Sequence, residues 1–269
     1  MRTLLICHDD AALDRDGLAR WLASFSTLTG ILVLREPPRR LRERATRELR
    51  RVGFWRFLDV VGFRLYYTLF QAAADQLDLD RELDWLRASY PEPVNAGEFM
   101  TESPNSAEAE AYMRQCQPDL VLARCKVLLR PGVFSIAPLG TYVLHPGICP
   151  EYRNAHGCFW AMAVGDSGNV GTTLLRVDAG VDTGPVFGHF RVEAEPGESH
   201  VSLQHRAVLD HLGGIREALQ LIECGRARPV DTSGHRSAIW GQPWLSALIR
   251  MRARERHTNE ARLRTESRQ

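Results

Sequence analysis

"RTLLICHDDAALDRDGLARWLASFSTLTGILVLRE", residues 2–36, decides the fold class. The run Leu4-Leu5-Ile6-Cys7 is apolar without alternation and stops at His8-Asp9-Asp10. So short an apolar run bounded by polar residues reads as a strand buried on both faces. "DRDGLARWLASF" then carries apolar residues at helical spacing, and "LTGILVLRE" repeats the strand pattern. Strand, helix and strand in this order predict a parallel sheet with crossover helices. His8 falls at the strand end, the edge at which open α/β sheets hold ligands. No Gly-x-Gly-x-x-Gly follows it, so a dinucleotide is not expected.

The same rhythm returns downstream. "SAEAEAYMRQCQ" reads as a helix, "PDLVLARC" and "TYVLH" as strands, and "GCFWAMAVGD" as a helix ending at Gly165. Two strands are expected on either side of the glycine-rich acidic loop "DAGVDTGP", followed by one long helix over 200–224. The fold class is therefore α/β, a Rossmann-like, mostly parallel sheet flanked by helices. Residues 1–225 are expected to form this domain, and 226–269 a short, partly disordered C-terminal extension with a solvated helical tail.

Residues 37–90 interrupt the pattern as a helical insertion, opening with the basic "PPRRLRERATRELRR" and continuing through Phe54, Trp55, Phe57, Leu58, Val61, Leu65 and Phe70. Two readings stay open: helices packed on the sheet, or a lid or interfacial patch for a bulky or lipid-linked substrate. Charges inside the run make it a poor spanning segment, so peripheral contact through 52–70 is the only membrane role considered.

The totals fit a globular protein: 269 residues, 44% hydrophobic, 25% charged, net charge +1. No signal peptide or spanning run is read, and six scattered cysteines with no Cys-x-x-Cys predict reduced thiols, a cytoplasmic location and no metal site. A single lysine, Lys126, accompanies many arginines, a bias read as base composition rather than as a nucleic-acid surface.

Two polar residues stand out. His145 closes the strand "TYVLH" and is followed at once by Pro146 and Gly147; Asp182 lies between Gly180 and Gly184. A histidine oriented by a carboxylate is a proton-handling unit. The same residues also occur as an ordinary strand end and an ordinary turn, and spacing alone does not decide between these readings.

Over about 117–190, "PDLVLARCKVLLRPGVFSIAPLGTYVLHPGICPEYRNAHGCFWAMAVGDSGNVGTTLLRVDAGVDTGPVF" resembles the formyltetrahydrofolate-dependent formyltransferases. The resemblance implies His145 and Asp182 as catalytic residues. It implies Lys126, Val127, Leu128 and Leu129, with Asp178 and Gly180, as the pocket for the co-substrate 10-formyltetrahydrofolate. Tyr152, Arg153 and His156 match the stretch beside the acceptor. The family has asparagine, an oxyanion-stabilising amide, at the position of Val143, and loss of one such donor costs about 3–4 kcal/mol. Asn154 and His156 are candidate replacements. The implied function is formyl transfer to a small-molecule amine such as an amino-sugar or secondary metabolite. The alternative is a divergent member with other acyl or carbamoyl transfer, hydrolysis, or binding alone. With about 45 residues after the 200–224 helix, no second barrel is expected and tRNA is disfavoured as the acceptor. Oligomeric state is not read.

Overall fold

The computed structural model describes residues 1–94, 96–195 and 197–266. A seven-stranded sheet runs β3-β2-β1-β4-β5-β7-β8. Its strands are β1 (Arg2–His8), β2 (Thr27–Leu34), β3 (Gly97–Thr101), β4 (Leu120–Ala123), β5 (Gly140–His145), β7 (Gly171–Arg176) and β8 (Val186–Arg191). β1 to β5 pair in parallel, and β5–β7 and β7–β8 are antiparallel. β1 explains why its apolar run does not alternate. Leu5 and Cys7 enter the core on one face of the sheet and Leu4 and Ile6 the core on the other.

The first connection is a π-helical turn over Leu13–Leu18 continued by α1 (Ala19–Ala23). With Trp21 and Leu22 it covers the Leu5 face of the sheet. α5 (Ala107–Cys116), capped by the Ser106 side chain on the Ala109 N–H, covers the other face through Ala109 and Met113. The short α6 (Pro131–Phe134) adds Val133 to that side.

The insertion consists of three helices: α2 (Pro38–Val52), α3 (Phe54–Phe70) and α4 (Ala72–Ser89). α4 supplies Leu83 and Leu86 to the main core, and α3 supplies Phe63 to a separate aromatic cluster. The packed-helix reading thus holds for these inner faces.

Three elements differ from the sequence expectation. The segment 200–224 is two helices, α8 (His200–Leu209) and α9 (Leu212–Glu223). His211 leaves helical geometry, with φ −116° and ψ 15°, and Gly213-Gly214 offer little propensity to carry the helix through. β3 has no counterpart among the strands that the sequence pattern predicts; it is a short, largely exposed edge strand without a buried stripe. In the C-terminal part, β9 (Ile239–Trp240) pairs with β6 (Arg153–Asn154) as a second small sheet. α7 (Gly157–Val164) and α10 (Leu245–Glu266) meet in the aromatic cluster, where Trp240 and Trp244 pack against Trp160. The end of the expected tail, 267–269, lies outside the described residues.

Candidate active site

β5 ends on His145, and the chain then doubles back over its own strand end. Gly147 N–H donates to the His145 carbonyl (2.9 Å), and Thr172 Oγ1 donates to the same carbonyl (2.9 Å). Thr173 Oγ1 donates to the Gly147 carbonyl at 2.6 Å and accepts from the Cys149 N–H at 3.0 Å. Both threonines are fully buried on β7, opposite the end of β5. Gly147 and Gly157 meet backbone to backbone, which brings the start of α7 against the turn. The two residues after the histidine are therefore the means by which residues 146–157 fold back over it.

The result is a buried imidazole, 4% exposed, held at both nitrogens. Nε2 lies 2.7 Å from the Tyr152 carbonyl, and Nδ1 lies 3.3 Å from Asp182 Oδ2. A carbonyl only accepts, so Nε2 carries a proton. That leaves Nδ1 facing the carboxylate, where a proton can pass between ring and acid. Asp182 Oδ2 also accepts from the Asn154 N–H (2.8 Å). Asp182 and Asn154 both have positive φ, 50° and 80°, within the region that Asp and Asn tolerate better than most residues. Arg153 Nη1 donates to the Val181 carbonyl at 3.2 Å, so the 151–156 segment and the 178–184 loop are tied at two adjacent points. The histidine and aspartate identified by sequence are thus brought together.

The other candidate residues divide. The Tyr152 ring is 4% exposed, stacks on Trp240 and donates its hydroxyl to Asp166 Oδ2 at 2.7 Å. Its side chain is a core element, and its contribution to the site is the carbonyl facing His145. The exposed Asn154 donates its amide to the Trp240 carbonyl. His156 is half-buried with φ 54°, its Nδ1 is buried without a hydrogen-bond partner, and its ring lies 5.3 Å from that of His200. Burial, then the positive charges of Lys126 and Arg64, pushes the His156 imidazole down to about 4. His200, enclosed by Phe63, Tyr67 and Phe159, is pushed by burial to about 3.

Val143 lies on the same strand face as His145 and packs with Cys149, Leu175 and Val186. It presents methyl groups where a donor was sought.

The residues read as a co-substrate pocket follow β4. Lys126 N–H donates to His8 Nε2 at 3.1 Å, which joins this loop to the end of β1. Asn105 accepts from the Arg130 N–H (2.7 Å) and donates to the Leu128 carbonyl (2.9 Å), so one side chain clamps both ends of a three-residue arc. Among the described residues the N–H groups of Val127, Leu128 and Leu129 have no hydrogen-bond partner, a set of donors that suits the polar edge of a flat heterocycle. Leu129 and Val127 pack in the same apolar cluster as Val177, immediately before Asp178. Asp178 Oδ1 accepts from the Gly180 N–H (2.9 Å) and Thr183 Oγ1 (2.7 Å). A Cβ on Gly180 would lie 2.0 Å from Thr183 Oγ1, so this closure requires glycine.

Sequence reading missed the supporting groups. Thr172 and Thr173 hold the turn, and only their polarity within an otherwise apolar strand marked them. Arg124 donates to Asp14 Oδ1 (3.0 Å) and to the Leu144 carbonyl (2.7 Å), joining the ends of β4 and β5 to the first helical turn.

A family model described as formyl transferase matches residues 84–215, a span that includes both His145 and Asp182. Residues 84–215, just under half of the chain, thus match the formyl transferase family. Among its relatives, a methionyl-tRNA formyltransferase from Chlorobium limicola is 30% identical over 127 residues, 47% of this chain and 40% of that protein. A GDP-perosamine N-formyltransferase from Brucella melitensis is 28% identical over 129 residues, 48% of this chain and 49% of that protein. The chain thus spans less than half the length of either of these relatives. Among solved structures, a phosphoribosylglycinamide formyltransferase from Anaplasma phagocytophilum superposes with a TM-score of 0.54 at 14% identity, over 90% of this chain and 99% of that one. A sugar N-formyltransferase from Shewanella gives 0.52 at 12% identity, over 90% and 76%. These similarities show a shared Rossmann-like formyltransferase fold. No helix among the described residues is long and apolar enough to cross a membrane.

Proposed function

We propose that this chain transfers a formyl group from 10-formyltetrahydrofolate to the amine of a small molecule, an amino-sugar or similar metabolite. The observation that carries the reading is the contact between the buried His145 ring at the end of β5 and the half-buried Asp182 carboxylate, 3.3 Å away. The relative named for GDP-perosamine supports an amino-sugar class.

In this reaction the amine nitrogen bonds to the formyl carbon, that carbon's bond to the folate nitrogen breaks, and a proton passes from the amine to the folate nitrogen. His145 and Asp182 hold the proton in transit. The ring stays oriented throughout, because the Tyr152 carbonyl fixes Nε2 and leaves the Nδ1–carboxylate side as the exchanging one. The free N–H groups at 127–129 and the closed loop at 178–183 bind the co-substrate. Arg153 and His156 stand on the acceptor side.

A second reading rests on Val143. With methyl groups at that position and the Asn154 amide already committed to Trp240, the developing charge on the formyl oxygen lacks the family's amide donor. A divergent member with different acyl chemistry, or with binding alone, follows from that.

The deciding experiment has two arms. Calorimetry with 5-formyltetrahydrofolate, a stable analogue, is expected to show saturable binding; none at millimolar ligand removes the co-substrate. Incubation with 10-formyltetrahydrofolate and a panel of amino-sugars, followed by mass spectrometry, is expected to show a formylated product. Binding without product from any amine selects the second reading.

A further inference from the structure

α3 is apolar on two opposite sides. Its inner side buries Val60 and places Phe63 and Tyr67 in the aromatic cluster, with Phe63 edge-on to Phe159 and to His200. Its outer side carries Phe54, Leu58, Val61, Leu65 and Leu69, which are 60%, 45%, 41%, 61% and 68% exposed. At 100° per residue these five fall within an arc of about 80°, centred opposite the inner row. Trp55, 81% exposed, flanks them. A helix that is hydrophobic all round is normally covered all round. This one is bare along its outer face.

The neighbouring helix says what covers it. α2 joins α3 through the single residue Gly53. Its half-buried residues Arg44, Glu48, Leu49 and Val52 face inward, whereas Arg39, Arg42, Arg47 and Arg50 are exposed on the opposite side. Among the described residues Arg42, Arg47 and Arg50 have no carboxylate partner. Between 38 and 70 the sequence has nine arginines against three acidic residues. An apolar row on one helix, with cations lacking a carboxylate partner on the helix joined to it, matches the boundary between acyl chains and anionic headgroups. A second copy of the chain fits less well, since a two-fold contact would set the arginine rows against each other.

We propose that α2 and α3 form a docking device for an anionic lipid surface, with the outer row of α3 inserted among the acyl chains and the α2 arginines on the headgroups. Seventeen residues with Arg56, Asp59 and Arg64 among them lie on a bilayer rather than cross it. This inference is independent of the proposed reaction.

The test is co-sedimentation of the full chain with phosphatidylcholine vesicles, with and without phosphatidylglycerol. Binding is expected only to the anionic vesicles and to weaken at least tenfold between low and high salt. Leu58→Ser with Leu65→Ser and Leu69→Ser should weaken it at least tenfold, and Arg42→Gln with Arg47→Gln and Arg50→Gln should remove most of the salt dependence. Quenching of tryptophan emission by brominated acyl chains, lost in Trp55→Phe, reads insertion without any change to the leucines and covers the case in which the triple variant fails to fold. Absence of sedimentation by the folded wild-type protein overturns the proposal. So does vesicle binding unchanged in folded leucine variants, or a dimer in sedimentation velocity that the leucine changes dissolve.

Discussion

Gly157 and Gly147 are in contact through their backbones: a Cβ on Gly157 would lie 2.5 Å from Gly147 Cα and 2.8 Å from the Pro146 carbonyl oxygen. In the other direction, a Cβ on Gly147 would lie 2.6 Å from the Tyr152 carbonyl oxygen and 3.0 Å from His145 Nε2. The atoms around Gly157 are backbone atoms with little room to move, so Gly157→Ala pushes α7 off the turn. Overpacking of this kind costs about 1–3 kcal/mol. Urea unfolding should show that loss. Activity should fall further than stability, because the displaced carbonyl of Tyr152 is the one that orients the histidine.

Asp182→Asn isolates the carboxylate. Asn tolerates the positive φ at this position, and its side-chain oxygen still accepts from the Asn154 N–H, so the loop keeps its shape. The carboxylate facing His145 Nδ1 is lost. Formyl transfer should fall by about 10²–10⁴ in kcat, the usual range for a general acid–base group, with KM for the amine changing little. A melting temperature within a few degrees of wild type is the accompanying control.

Much of the sheet was legible because its signals are local. Residues 2–36 and the strands "PDLVLARC" and "TYVLH" are apolar on both faces, and only a covered parallel sheet explains that pattern. The pairing of His145 with Asp182 was legible only through the whole motif, since neither residue distinguishes itself from a strand end or a turn. What stayed hidden depends on distant contacts. β3 lacks a stripe because it lies at an edge, and the break at Asp210-His211 sits in a segment whose apolar spacing continues on both sides. Tyr152 looked like a ligand-facing residue, and only the packing of Trp240 from the C-terminal segment turns its ring into core.

Val143→Asn tests whether a missing donor limits the chemistry. Val143 packs with Cys149, Leu175 and Val186, so a polar side chain there should lower stability by about 1–2 kcal/mol. Against that cost, one added oxyanion donor is expected to raise the rate of formyl transfer by about 10²-fold. If wild type forms product and the folded variant forms it no faster, another group already serves the oxygen, with His156 the first candidate; no product from either protein favours the second reading.

The buried imidazoles set the acid limit of stability. Burial holds His156 and His205 down to about 4 and His200 to about 3 in the folded protein, against about 6.5 when unfolded. The unfolded chain therefore binds more protons at these three rings between those values, and their share of stability is complete above about pH 6.5 and falls as pH drops toward 4. Each histidine contributes on the order of 3 kcal/mol across that window. Glu82 opposes them: burial, then Asp78 and Asp210, raises its carboxyl to about 7, so its share of stability is present at low pH and lost as pH rises from 4.5 through 7. One carboxyl does not cancel three imidazoles, and the net loss on acidification remains. His200→Leu keeps the apolar enclosure of Phe63, Tyr67 and Phe159 while removing one titrating ring. Urea midpoints at pH 7.0, 5.5 and 4.5 should fall less steeply in that variant than in wild type. Parallel slopes in the two proteins would place the acid sensitivity elsewhere.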